Sequence, residues 1–157
     1  MFTEIFQDRR VKLGVIMLAL FTNALLPLII SDLHSLSSAW LTPWQPLFIF
    51  SNAATSYYMY SSAKWKWAGF FLLLLTAFSI EMHPSLHYLF AIGFFLSCLP
   101  PIISDKRLWG WAVPYLLTTP VFFYDLLLGE LTAVIVLLLY HVQLLRLTWR
   151  LNKRHLR

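Results

Sequence analysis

The chain has 157 residues, of which 59% are hydrophobic and only 12% charged, with a net charge of +5. A soluble domain holds about twice that charged share, so an ordinary water-soluble fold is excluded, and the length leaves room for a single domain, residues 1–157, built as one helical bundle. The positive charge does not point to nucleic acid, because the basic residues flank apolar runs instead of forming a stripe; anionic lipid headgroups are the better counter-charge.

The first apolar run, Leu13 to Ile30, follows Arg9, Arg10 and Lys12 and ends at Ser31-Asp32. It has the ingredients of a signal peptide but is long for one, and is read as a retained first span. A polar stretch with His34, Ser35, Ser37, Ser38 and Thr42 follows. Trp40 and Trp44 lie there, where indole rings settle between headgroup and tail. A second span is expected from Pro46 to Ser61. The third has an apolar stretch only from Trp67 to Ile80, too short at about 1.5 Å per residue for a hydrocarbon core of about 30 Å. Its helix is therefore expected to start near Ala63, with Lys64 and Lys66 snorkelling to the surface. The fourth span, His87 to Ile103, contains Pro100-Pro101, which predict a break or bend at its end. The fifth, Leu108 to Asp125, contains Pro114 and Pro120, which predict kinks. The sixth runs from Glu130 to Trp149 and leaves a basic tail.

All twelve Lys and Arg residues then fall on one side. They are Arg9, Arg10, Lys12, Lys64, Lys66, Lys106, Arg107, Arg146, Arg150, Lys153, Arg154 and Arg157. Pairs of apolar runs separate these clusters, and the connections on the opposite side hold no Lys or Arg. Cationic flanks stay cytoplasmic. The expected architecture is an all-α bundle of six transmembrane helices with N- and C-termini in the cytoplasm, in a bacterial-type cytoplasmic membrane or an endomembrane.

Cys98, the single cysteine, lies inside an apolar run, which excludes an intrachain disulfide and a Cys-based zinc knuckle. LPLIISD at Leu26 to Asp32 recurs as LPPIISD at Leu99 to Asp105. Three spans separate the copies, as an inverted three-plus-three repeat would require.

The non-cytoplasmic face collects Asp32, His34, Glu81, His83, His87, Asp125 and Glu130 without a neighbouring Lys or Arg. Ionisable groups close to hydrocarbon are costly unless paired or hydrated, so this set is the candidate ligand or headgroup pocket. A polar rim that merely satisfies helix ends is the plainer alternative. His83 and His87 share a helix face by spacing, but Pro84 suits a first helical turn with His83 before it. His87, His83 and Asp32 are the candidates for a metal, zinc by ligand type. A deeper layer comprises Asn23, Ser51, Asn52, Thr118, Thr119 and His141, where interhelical hydrogen bonding is the usual role. His141 could instead relay protons or bind haem. There is no nucleotide-binding Gly-rich loop, Ser-centred elbow or HExxH.

Several short stretches resemble the DRAM/FRAG family of six-span membrane proteins, which includes autophagy modulators and proteins of GPI-anchor lipid remodelling. Pro27, Ile30, Ser31 and Asp32 are similar to the family's Pro-x-Ile-Ser-Asp motif, with one extra residue. Phe50 to Ala54 with Tyr57-Tyr58, and His87 to Ala91 with Phe94 and Phe95, resemble its second and fourth spans. The glycine usual after Ser-Asp is replaced around Leu33-His34. The resemblance covers residues 20–105 and implies a lipid-associated role at a non-cytoplasmic face, with no established reaction. The expected function is lipid handling or remodelling, with membrane lipid and other membrane subunits as partners and no nucleic acid. A small transporter with an inverted repeat and a metal-dependent lipid hydrolase are the alternatives.

Overall fold

The computed structural model describes residues 8–30 and 33–155, and the side chains of all of these except Trp40 and residues 151–155. Among the described residues there are helices and turns and no strand, so the chain is all-α. The helices are α1 (Arg9–Leu20), α2 (Gln45–Tyr60), α3 (Lys66–Ala77), α4 (Pro84–Ser104), the short α5 (Ala112–Leu117) and α6 (Thr119–Tyr124), and α7 (Leu126–His155). α3 packs against both α2 and α4, α1 against α2 and α7, and α6 folds back on α7.

Three helical stretches are long and apolar enough to cross a membrane: Arg9–Leu28, Pro84–Ser104 and Leu126–Arg150. They mark the chain as a membrane protein by length and composition. Its outer surface agrees, with Ile29, Phe50, Trp67 and Leu96 each more than 60% exposed. A water-soluble monomer rarely carries so many large apolar side chains outward together.

Local chemistry sets the helix ends. The Asp8 carboxylate accepts from Arg10 N at 2.7 Å and caps α1. Pro46 and Pro84 occupy first turns, where a missing N–H costs nothing. His83 stands just before Pro84, as its sequence position predicts. α1 does not stop at Leu20. It widens into a π-helical turn at Phe21–Leu25 and closes with a 3-10 turn at Leu26–Leu28 around Pro27. The proline ring has no N–H and crowds the carbonyl four residues back, which is that of Asn23. Widened turns of this kind recur at functional positions.

Two expectations need correcting. α3 begins at Lys66, not near Ala63, because a turn closed by Trp65 N donating to Ser62 O at 3.0 Å sends the Trp65 ring inward. That ring is 4% exposed and lies on Tyr140 and His141. Lys66 Nζ sits 5.4 Å from the centre of the Tyr60 ring. Pro100 and Pro101 do not break α4, which continues to Ser104. In the fifth run the kinks become a division: a 3-10 turn at Trp109–Trp111, then α5, then α6. The division falls at Thr118, where Pro120 lacks the N–H that would reach Leu116 O, and the Thr118 hydroxyl donates to Tyr115 O instead.

The core runs along α3, α4 and α7 through Ala68, Leu72, Phe94, Cys98, Ala133, Leu137 and Tyr140. Small residues permit close approach. A Cβ on Gly69 would lie 2.6 Å from Ser56 O, and the Ser56 hydroxyl donates to Gly69 O at 2.6 Å. The two copies of the seven-residue similarity differ locally. Leu26–Leu28 form a 3-10 turn, whereas the stretch from Leu99 to Ser104 lies within α4.

Candidate functional site: a histidine–carboxylate cluster beside a buried chamber

The segment between α1 and α2 brings the first groups together. Ser35 opens a 3-10 element, Leu36–Leu41, with a reciprocal cap to Ser38. The first N–H groups of such an element have no internal acceptor. The Glu130 carboxylate of α7 supplies one, accepting from Leu36 N at 2.6 Å. The next residue, Ser37, meets His87 of α4, its hydroxyl 2.6 Å from Nε2. On the other side of the ring, Nδ1 lies 2.7 Å from Phe78 O. A carbonyl only accepts, so Nδ1 carries the proton, and in the neutral ring Nε2 accepts from the Ser37 hydroxyl. His87 and Glu130 are 2% and 8% exposed. Two consecutive residues of one short segment thus fasten both ionisable groups inside the bundle.

The other predicted members do not join them. His34, Glu81, His83 and Asp125 are exposed. The Asp125 carboxylate accepts from Leu128 N at 2.9 Å, a cap at the start of α7, and the His83 ring lies edge-on to Phe78. Asp32 lies outside the described residues. Among the described residues no three His, Cys, Asp or Glu side chains gather as a metal set, and both ring nitrogens of His87 already hold hydrogen bonds.

Behind the cluster the bundle holds a chamber of about 90 Å³. Its wall is built from one stripe per helix. Ile16 and Ala19 come from α1 and Asn23 from the π-helical turn; Phe48, Asn52, Thr55 and Met59 come from α2; Glu130, Val134, Leu137 and His141 come from α7. These spacings of three, four and seven put each set on one helix face. The lining is mostly apolar, yet nearly every helix contributes a polar group.

The deeper layer has three different fates. Asn23 donates to Ala19 O and to the Thr22 hydroxyl, and Thr22 in turn lies 2.6 Å from the Ser51 hydroxyl, joining α1 to α2. Asn52 is 7% exposed and has no hydrogen-bond partner among the described residues. His141 is 3% exposed; its Nδ1 donates to Leu137 O at 2.8 Å, and the rings of Tyr58, Trp65 and Tyr140 surround it. Sequence reasoning named Ser37 and Tyr58 without placing either in the site, and passed over Trp65. Tyr58 could have been found by its place on the Asn52 stripe; Ser37 and Trp65 lie in turns, where no period betrays a facing direction.

Two further hollows adjoin the chamber. A groove of about 360 Å³ runs from Ser37, His87 and Glu130 along α4 against α5 and α6. At the opposite end, Tyr58, Met59 and His141 also line a vestibule of about 510 Å³ with Arg9, Lys12, Ser61, Ser62 and Thr148. The arrangement offers an apolar slot with a hydrogen-bonding head at one end and a basic, hydroxyl-rich recess at the other. No family model, curated protein or solved structure matches this chain.

Proposed function

We propose that this chain is a six-span membrane protein with both termini cytoplasmic, and that it binds membrane lipid in the groove between α4 and the α5–α6 pair. A place in the DRAM/FRAG family belongs to the same reading. The one-sided distribution of Lys and Arg supports the topology. α3, at 12 residues, is about 18 Å long, and crosses by drawing its flanking turns into the interface or by local thinning of the bilayer.

The observation that carries the lipid reading is the shape and chemistry of the groove. Its walls are Ala91, Phe95, Leu99, Leu116, Phe122 and neighbours of the same kind; Ser37, His87 and Glu130 form its polar end, and Thr118 also lines it. An apolar cleft with a few converging polar groups is the usual form of a ligand site. An acyl chain suits the wall, and the ester and hydroxyl groups of a headgroup suit the polar end. Handling of a lipid requires no more than this.

The test is labelling by a phospholipid carrying a photoactivatable group in its acyl chain, in nanodiscs. Label should concentrate on α4 and on the stretch from Leu116 to Leu126. Ala91→Trp fills the groove and should remove that label without changing the elution profile. Label spread evenly over lipid-facing residues, unchanged by Ala91→Trp, would reject a specific site.

A further inference from the structure

We infer that the chamber is a hydrated proton path across the bundle, with Glu130 and His141 as the groups that exchange the proton at its two ends. This goes beyond lipid binding, which occupies the groove; the path meets the groove only at its polar end, at Ser37, His87 and Glu130.

The first observation is adjacency. The chamber shares Ser37, His87 and Glu130 with the groove, and Tyr58, Met59 and His141 with the basic vestibule. Three hollows therefore adjoin one after another, and each shared wall carries a side chain able to take up or release a proton. Glu130 and His141 are eleven residues apart on α7, about 16 Å along the axis and on the same face. That distance is over half of a hydrocarbon core of about 30 Å.

The second observation is unmet hydrogen bonding. Glu130 Oε2 accepts from Leu36 N, and its Oε1 has no partner among the described residues. Asn52 has none for its whole amide, and Asn23 none for Oδ1. His141 keeps Nδ1–H on Leu137 O, which leaves Nε2 as an acceptor without a partner. Buried polar groups are almost always satisfied, by water where protein does not serve. At about 30 Å³ per molecule, the chamber holds about three waters. Those waters, together with the Asn23 and Asn52 amides and the Tyr58 hydroxyl, link its two ends.

Charge and size identify what passes. The chamber is too small for an organic solute. Arg9 and Lys12 at the vestibule disfavour other cations, and the Glu130 carboxylate on the chamber wall disfavours anions. A proton needs no room of its own, because it moves by exchange along hydrogen bonds. The titratable side chains on the chamber wall are Glu130, His87, His141 and Tyr58. In one transfer Glu130 takes a proton at its free oxygen and passes one to chamber water. His141 Nε2 receives one from the chamber and releases it to vestibule water, and Nδ1 keeps its own proton throughout. One proton enters and one leaves.

The experiment uses the full chain in liposomes containing a pH-sensitive dye, with a potassium gradient and valinomycin setting the potential. Wild type should acidify or alkalinise the lumen faster than protein-free liposomes. Glu130→Gln and His141→Phe should return the rate to the protein-free level. Asn52→Leu, which replaces the unpaired amide by a side chain of similar size, should do the same by drying the chamber. It should leave photoactivatable-lipid labelling unchanged, so a failed path and a failed lipid site are told apart. Each variant is reconstituted only after it elutes as wild type does. Wild-type flux at the protein-free level overturns the proposal, as does full flux in a well-folded Asn52→Leu or Glu130→Gln variant.

Discussion

Replacing Glu130 with alanine should release the segment Leu36–Leu41 from the bundle. The carboxylate is the acceptor for Leu36 N, at 2.6 Å, across 94 positions of sequence. Leu36 is 7% exposed and Glu130 8%, so bulk water does not reach the bond. Leaving a buried N–H unpaired costs about 1–3 kcal/mol. That cost falls on local opening of the segment, and a tenfold change corresponds to about 1.4 kcal/mol. The Leu36 amide should therefore exchange with deuterium about 5- to 150-fold faster in Glu130→Ala than in wild type. Glu130→Gln keeps a carbonyl acceptor of nearly the same shape and should exchange close to the wild-type rate. Amides inside α3 serve as the internal reference. If Leu36 exchanges at the wild-type rate in a folded Glu130→Ala variant, the carboxylate does not hold this segment and the cluster has been misread.

Three other expectations bear on separate parts of the structure. Ser37→Ala removes the partner of His87 Nε2 and should cost about 1–3 kcal/mol in a detergent unfolding titration, with lipid labelling at α4 reduced; Ser37→Thr, which retains the hydroxyl, should restore the labelling. Gly69→Ala forces a Cβ against Ser56 O and should destabilise by about 1–3 kcal/mol through overpacking, read in the same titration. In a Cys98→Ala background, cysteines at His34 and Leu128 should react with an impermeant thiol reagent from the non-cytoplasmic side, and one at Ser62 should not; labelling at Ser62 from that side would refute the six-span topology.

The helices were legible where covalent chemistry dictates them. Pro84 placed the start of α4, and His83 stands just before it. The division of the fifth run followed from Pro120, whose effect is local. The sequence misled where a tertiary contact outweighed a local rule. Lys64 and Lys66 invited a longer third helix, but Trp65 turns inward to His141, 4.5 Å between ring centres, and delays the start of α3. Pro100-Pro101 read as a break or bend, yet no break occurs: that end of α4 carries the fully buried Cys98 and Ile102, and packing there holds the helix together. Proline cost is a few kcal/mol, and burial of several large side chains offsets it.

The site was legible as a list and not as a grouping. Seven ionisable residues were marked by the expense of placing charge near hydrocarbon. That argument ranks residues by type and depth, and it treats exposed Glu81 and buried Glu130 alike. What separates them is a partner 94 positions away, presented by a segment with no periodic pattern. Asn52 shows the converse. Its depth suggested an interhelical hydrogen bond, the usual role of a buried amide, and Thr22–Ser51 makes such a bond beside it. Asn52 occupies the same layer one position along, which turns it about 100° around the helix, away from that pair and onto the chamber wall. Neighbours in sequence with like chemistry thus divide into one that joins helices and one that faces the chamber. Only the hydrogen-bond account distinguishes them, and it is the unpaired one that points to function.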